Sequence, residues 1–349
     1  MSCQKLSRQY LHMVSSAGRG LYALSHLDVS RLFYTSKEEA RAAHTQDKKN
    51  GSNMLGGIGS TGRLPEPSVH YEPFTMAISY PDRSRDVFAL FGKSNIFYSD
   101  SVGHSSIYYT ESQCFVGLPS LNSPKGPKRI AVSIPRTEAH ARSDFEVDPD
   151  FDSDLFTNKR QGNHMNSLYV MDMDPYNKCS FEVLTYYPLS RWHWRQLPRP
   201  AFFGDTKYRA RDNVPFAVVD GTEICMSFET ATYYFDTVEF EWSKAGDWVL
   251  PFGAKAEYIP EFGLWLGFSA HKPYNLCSVN LSGVTIGSCD TQPLAQYVGQ
   301  HVDLPGDCSL KNLSLVNIGS GRFCIAKFFN RIHDRQPSGG GLDWCGAAH

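Results

Sequence analysis

Few stretches of this 349-residue chain carry side chains at a spacing suited to chemistry. Gly57-Ile58-Gly59-Ser60-Thr61-Gly62 has the glycine spacing of a dinucleotide fingerprint. That chemistry needs a strand before the glycines and a helix after them, so that the helix N-terminus meets the pyrophosphate. Here KKNGSNML precedes and RLPEPS follows, so the segment reads as a flexible loop. Asp144, Glu146, Asp148, Asp150, Asp152 and Asp154 put a carboxylate at every second position. Asp150-x-Asp152-x-Asp154 matches the start of a calcium loop, which requires Gly at position six and Glu at position twelve. Leu155 stands at the sixth position and no Glu at the twelfth. The run reads as a solvated acidic segment in an insertion over residues 137–163, and its six carboxylates are the candidate residues for docking a basic protein partner.

RWHWRQLPRP (191–200) and KYRAR (207–211) interleave aromatic and basic residues, a pattern that can stack single-stranded nucleic acid while contacting its phosphates. The repeat described below places Trp192 and Trp194 on a strand that packs into a core, so no nucleic-acid partner is expected. The twelve histidines show no HxH, HxxxH or HExxH pairing, and the nine cysteines no CxxC. Neither a G-x-S-x-G elbow nor a phosphate-binding P-loop is present. Sugar-cleaving enzymes need carboxylates gathered on the scissile bond. In the strands that would line a central channel, only Asp220, Glu257 and Glu261 are acidic. No catalytic, cofactor-binding or metal-binding residue is assigned, and no cofactor is expected.

The elements holding these residues must be strands. Lys and Arg number 34 against 36 Asp and Glu, a net charge of −2, which opposes an electrostatic nucleic-acid binder. Tyr 18 and Phe 22 exceed what a disordered chain carries. No apolar run approaches the length of a membrane-spanning helix, so no membrane partner is expected. The N-terminus lacks a secretory apolar core. Lys5, Arg8 and Arg19 among serines make a weak match to an organelle presequence, and the segment reads instead as the approach to a first strand. Cysteines in apolar runs, Cys225 in EICMSF and Cys324 in RFCIAKFF, read as buried free thiols in a reducing compartment, cytoplasmic or nuclear.

Leu-Pro recurs at Leu64, Leu118, Leu197, Leu250 and Leu304, at intervals of 54, 79, 53 and 54 residues. The interval ending at Leu250 holds VPFAVVDG, EICMSFE, TYYFDT and EWSKAGDWVLP, short β-branched and aromatic runs bounded by turn residues. The next holds AEYIPEFG, LWLGFSA, NLCSVNLSG and QYVGQHVDLP; the first, PFTMAISYPD, VFALFG, SSIYYTES and CFVGLP. The long one holds RIAVSIP, SLYVMDMD, CSFEVLTYY and WHWRQLP, with its surplus between the first two strands. Four-strand units repeating at this period predict an all-β propeller, its aromatics packing sheet on sheet. SLVNIGSG and RFCIAKFF supply two strands of a last blade. LYALSHLDVSRLFY and STGRLP match third and fourth strands, so the last blade is expected to be shared between the termini. Five blades result, or six if YLHMV also pairs or the termini build separate blades. SKEEARAAH (36–44) is the one helical turn expected, capped by Ser36 with Glu38 and Glu39 near its positive end.

LYALSHLDVSRLFY, GDWVLPFGAKAEYIPEFGLWLGFSA and SLVNIGSGRFCIAKFF resemble a grass-expanded plant family catalogued as domain of unknown function 1668, over roughly residues 10 to 330. The resemblance implies a kelch-like propeller and carries over no activity and no site residues. Similar proteins continue with further strands where this chain runs NRIHDRQPSGGGLDWCGAAH, so 331–349 is expected to be a polar, disordered tail. The organisation expected is an N-terminal segment (1–20), one propeller (21–330) and this tail. The function expected is that of a monomeric, non-catalytic protein-interaction module whose loops bind a partner. The alternative is a glycan-binding or glycoside-acting propeller using its central channel.

Overall fold

Short apolar runs separated by Gly, Asp and Asn turns leave the chain one economical solution, antiparallel meanders stacked face to face. The computed structural model describes residues 10–18, 21–29, 36, 38–39, 41–42, 45, 66–72, 86–140, 165–187, 191–211, 213–284, 292–298, 308–331 and 345–348. Blade 1 holds β1 (Tyr10–Gly18), β2 (Leu21–Asp28) and β3 (Val69–Tyr71). Blade 2 holds β4 (Val87–Phe91), β5 (Asn95–Ser99), β6 (Ser105–Tyr109) and β7 (Cys114–Leu118). Blade 3 holds β8 (Arg129–Pro135), β9 (Asn166–Asp172), β10 (Phe181–Tyr187) and β11 (Arg191–Gln196). Blade 4 holds β12 (Phe216–Val219), β13 (Glu223–Phe228), β14 (Ala231–Asp236) and β15 (Glu241–Gly246). Blade 5 holds β16 (Glu257–Ile259), β17 (Leu264–Phe268), β18 (Leu276–Val279) and β19 (Gln296–Tyr297). Blade 6 holds β20 (Cys308–Gly319), β21 (Arg322–Arg331) and β22 (Cys345–Ala348).

Each seam between neighbouring blades has its own buried cluster, and the clusters run round a closed ring. Leu24 and Tyr71 of blade 1 meet Tyr98 and Tyr108 of blade 2. Phe97 and Ile107 meet Leu168 and Trp194 of blade 3. Tyr169 and Phe181 meet Ile224 and Phe235 of blade 4. Ala217 and Cys225 meet Trp265 and Cys277 of blade 5. Ile259 and Leu266 meet Leu315 of blade 6. Ile318 and Cys324 close the ring against Val29 and Leu11 of blade 1. An inner strand buried on both faces needs no alternation, and β13 accordingly reads EICMSF with five of its six residues buried. The first strands of blades 4 and 5 run in the same direction where they meet, as the parallel bridge between Phe216 and Lys255 shows.

The propeller and its strand order follow the Leu-Pro register, and the dipeptide's role is visible. Leu197 and Leu250 are buried at the ends of fourth strands. The proline carbonyls then accept indole N–H groups from the next blade: Trp194 Nε1 donates to Pro119 O at 2.9 Å and Trp242 Nε1 to Pro198 O at 3.1 Å. Blade-to-blade docking is thus repeated chemically as well as in spacing.

At the ends of the chain the six-blade alternative is the one that forms. YLHMV does pair, as β1 against β2, so among the described strands each terminus builds its own sheet and six sheets form the ring. Sharing of the last blade is by side-chain packing between blades 6 and 1, because β1 satisfies the β2 edge that a C-terminal strand would have taken. LYALSHLD is therefore the middle strand of blade 1, flanked by β1 and β3. Within the tail, Cys345–Ala348 pairs antiparallel with β21 as a third strand. In blade 2 the strand NIFYS is added as β5, while PFTMAISY and STGRLP lie outside the described residues. The helical turn is present in its described residues, with the Glu39 N–H donating to Ser36 Oγ at 3.1 Å as the cap requires.

Candidate functional site

The surplus of blade 3 leaves from β8 and returns at β9, and its base is built on the seam with blade 4. The Arg136 N–H donates to Met165 O at 2.7 Å, which ties the two stems together. The Thr137 N–H donates to His140 Nδ1 at 3.1 Å, so that nitrogen is the acceptor. Nε2–H then donates to Thr237 Oγ1 at 3.0 Å, and this hydroxyl donates on to Thr222 O in blade 4. The imidazole is 5% exposed. Burial, with the Arg136 charge adding to it, pushes its pKa down to about 4, so His140 is neutral at pH 7. Tyr169 completes the cluster, its hydroxyl donating to Thr237 O at 3.4 Å, and burial raises its pKa. The cavity among Arg136, His140, Ser167, Thr185 and Thr237 is about 10 Å³, space for one water. A neutral histidine with no room for a substrate is an anchor for the insertion stems.

The six carboxylates from Asp144 to Asp154, and the glycines from Gly57 to Gly62, lie outside the described residues. The three channel-strand carboxylates are not brought into a channel constellation. Asp220 (φ 49°) and Gly221 (φ 78°) form the left-handed pair of a hairpin turn. Glu257 accepts from Lys255 Nζ at 2.7 Å, and Glu261 accepts the Ser320 N–H at 3.0 Å. Among the described residues no three His, Cys, Asp or Glu side chains are placed to hold a metal ion. Nor is any described helix long and apolar enough to cross a membrane. Cys225 and Cys277 are buried thiols whose pKa values burial raises to about 12 and about 11, which leaves them without thiolate at pH 7.

The aromatic-basic segment packs as the register requires. Trp194 is buried and Trp192 half-buried against blade 2, at 5.8 Å from Phe97 and 5.5 Å from Phe91. Tyr208 is buried as well, donating to Met173 O at 2.6 Å. Sequence reasoning missed a second polar cluster. Lys125 and Glu182, both fully buried, form an ion pair. Lys125 also donates to Cys179 O at 2.7 Å, and Glu182 Oε2 accepts from Asn122 Nδ2 at 2.8 Å. These residues are 57 positions apart and belong to no motif, so only the pairing of strands brings them together.

In a meander, turns after the first and third strands emerge at one end. There the described turn residues expose Glu111, Glu138, Asp220, Glu239 and Glu261 against Lys93. The insertion emerges from this same acidic end.

A family model described as a protein of unknown function (DUF1668) matches residues 8–344. No curated protein matches the chain. Several solved structures resemble it in fold. The N-terminal domain of Nup159 is 11% identical, with 91% of this chain and 68% of that one covered and a TM-score of 0.35. A putative 6-phosphogluconolactonase from Bacteroides uniformis is 12% identical, covering 83% and 71%, with a TM-score of 0.41. The WD40 domain of SCAP from fission yeast is 10% identical, covering 98% and 87%, with a TM-score of 0.32.

Proposed function

The chain belongs to the DUF1668 family, and we propose that it is a non-catalytic propeller that binds other proteins through the acidic end of its blades. The observation that carries this reading is the base of the blade 3 insertion. Its stems are tied together and locked to blade 4 through His140 and Thr237, so a segment carrying Asp144, Glu146, Asp148, Asp150, Asp152 and Asp154 starts and ends on a rigid platform. The exposed turn carboxylates on that end add to its negative field. A field of one sign raises the local concentration of an oppositely charged partner and speeds encounter. The partner class is therefore a protein with a basic surface, met by a monomer in the cytoplasm or nucleus.

The test is crosslinking capture from cell extract with the full chain and with a variant in which all six acidic residues carry the matching amides. Proteins bound through this end are expected to fall at least fivefold in the variant and to fall with rising salt, as screened contacts do. An unchanged set of captured proteins removes the acidic segment from the reading.

A further inference from the structure

Alternation along β11 separates two jobs. Trp192 and Trp194 face blade 2, so Arg195 faces blade 4, where its guanidinium lies 4.3 Å from the centre of the Phe240 ring. Phe240 holds a left-handed backbone (φ 57°) that a bulky side chain rarely adopts, and this turns its ring into the seam. Past the end of the strand, Arg199 stacks on Phe203 at 5.6 Å and donates one N–H to Pro175 O. Between blades 3 and 4 lies an open groove of about 680 Å³. Arg195 and Arg199 stand on its blade 3 wall, and Glu239 and Glu241 on its blade 4 wall.

None of these four charges pairs with another. Arg195 has no hydrogen bond or carboxylate partner among the described residues, and Arg199 has only the backbone carbonyl. Ring stacking fixes each guanidinium while leaving most of its N–H fork free, the arrangement that receives a carboxylate two bonds at a time. β11 and β15 are also the outer strands of their sheets, so each offers an edge with no strand partner among the described strands.

We propose that this groove binds an extended protein segment carrying an acidic side chain for Arg195 and Arg199 and a basic one for Glu239 and Glu241. A nucleic acid fits less well, because its evenly spaced phosphates would face the glutamate wall. The proposal rests on the reading of the molecule as a protein-binding module, and adds a second surface and the chemistry of its ligand.

The experiment pans a displayed library of random dodecapeptides on the full chain and measures selected peptides by fluorescence anisotropy. Enriched peptides are expected to combine Asp or Glu with Lys or Arg. The double variant Arg195→Glu/Arg199→Glu should weaken them at least tenfold, and replacing the peptide's acid by Lys should restore binding to that variant. Arg195→Lys keeps the charge without the fork and should give an intermediate loss, while Arg211→Ala, outside the groove, should change nothing. Thermal unfolding of each variant separates a folding defect from a binding defect, and the charge-swapped peptide rescues only a folded groove. No enriched peptide, or peptides indifferent to Arg195 and Arg199, overturns the groove and leaves the acidic-segment capture to decide the broader reading. A labelled dT12 oligonucleotide that binds with the same dependence on both arginines overturns it in favour of nucleic acid.

Discussion

The seam between blades 3 and 4 and the seam that closes the ring between blades 6 and 1 have the same geometric task and very different constitutions. The first joins aliphatic residues such as Ile134 and Ile224 to a run of ring contacts: Phe181 lies 4.7 Å from Phe235, Phe235 lies 5.1 Å from Trp242, and Phe202 stacks on Phe228 at 3.9 Å. Among the described residues the second buries Val29, Ile318 and Cys324, with Leu11 and Val316 half-covered. Aromatic side chains bury the largest areas and add a ring–ring contribution of about 1 kcal/mol per pair. The closing seam is also the one that joins the ends of the chain, so it forms against the greatest loop-closure entropy. The insertion stems and the charged groove sit on the strong seam. A propeller that binds through one sector needs that sector rigid, and can place its compliance elsewhere in the ring.

The comparison breaks most directly at Phe235, which is fully buried on the strong seam. Phe235→Ala removes a ring that packs on Tyr169, Phe181 and Trp242, and is expected to cost about 3–5 kcal/mol in denaturant unfolding. A loss under about 1 kcal/mol would mean that the seam is not the stiff element proposed. Next in size is Glu182→Gln, on the blade 2 side of the same blade. It leaves the Lys125 ammonium buried without its counter-charge and should cost about 3 kcal/mol. Lys125→Met with Glu182→Leu removes both charges and should recover most of the loss. If the double variant is as unstable as the single one, the pair contributes through packing alone.

The fold was legible because propeller seams are made by residues that recur. Leu-Pro marks the end of a fourth strand: Leu197 and Leu250 enter the core, and the carbonyls of Pro119 and Pro198 each receive an indole from the next blade. The terminal blades were less legible: whether YLHMV pairs with its own hairpin or yields that edge to the C-terminus depends on competition between two strands far apart in sequence. The site was barely legible. SKEEARAAH could be read from its capping residue, but nothing in the residues around Arg136, Thr137 and His140 announces that the histidine reaches Thr237, 97 positions away. Arg195 could be placed on the face opposite Trp194 by alternation, yet its platform, Phe240, depends on a left-handed turn that a non-glycine sequence does not signal.

A pH titration sharpens the comparison at the strong seam. His140 has a folded pKa of about 4 against 6.5 when unfolded, so below pH 6.5 the unfolded chain takes up a proton that the folded chain refuses. Stability from this group is complete above pH 6.5, falls as the pH drops toward 4, and levels off below. With some solvent screening of the imidazole the loss is about 2 kcal/mol. His140→Gln should flatten the unfolding midpoint across that window. A slope as steep in the variant as in the parent would assign the acid sensitivity to other groups.

The smallest expected effect belongs to the closing seam. Ile318→Val removes one methylene from a buried position and should cost about 1 kcal/mol globally. The same loss can be read locally. If the ring opens first between blades 6 and 1, amides of β1 and β20 exchange through a local opening whose free energy lies below that of the whole molecule. Ile318→Val should then raise hydrogen exchange in these two strands about fivefold, the factor to which about 1 kcal/mol corresponds. Phe235→Ala should accelerate β9, β10 and β13 more than β1 and β20, because the local opening of the closing seam leaves the strong seam shut. Equal acceleration of all strands by Phe235→Ala would show that the two seams open as one unit, and that rigidity is spread evenly around the ring.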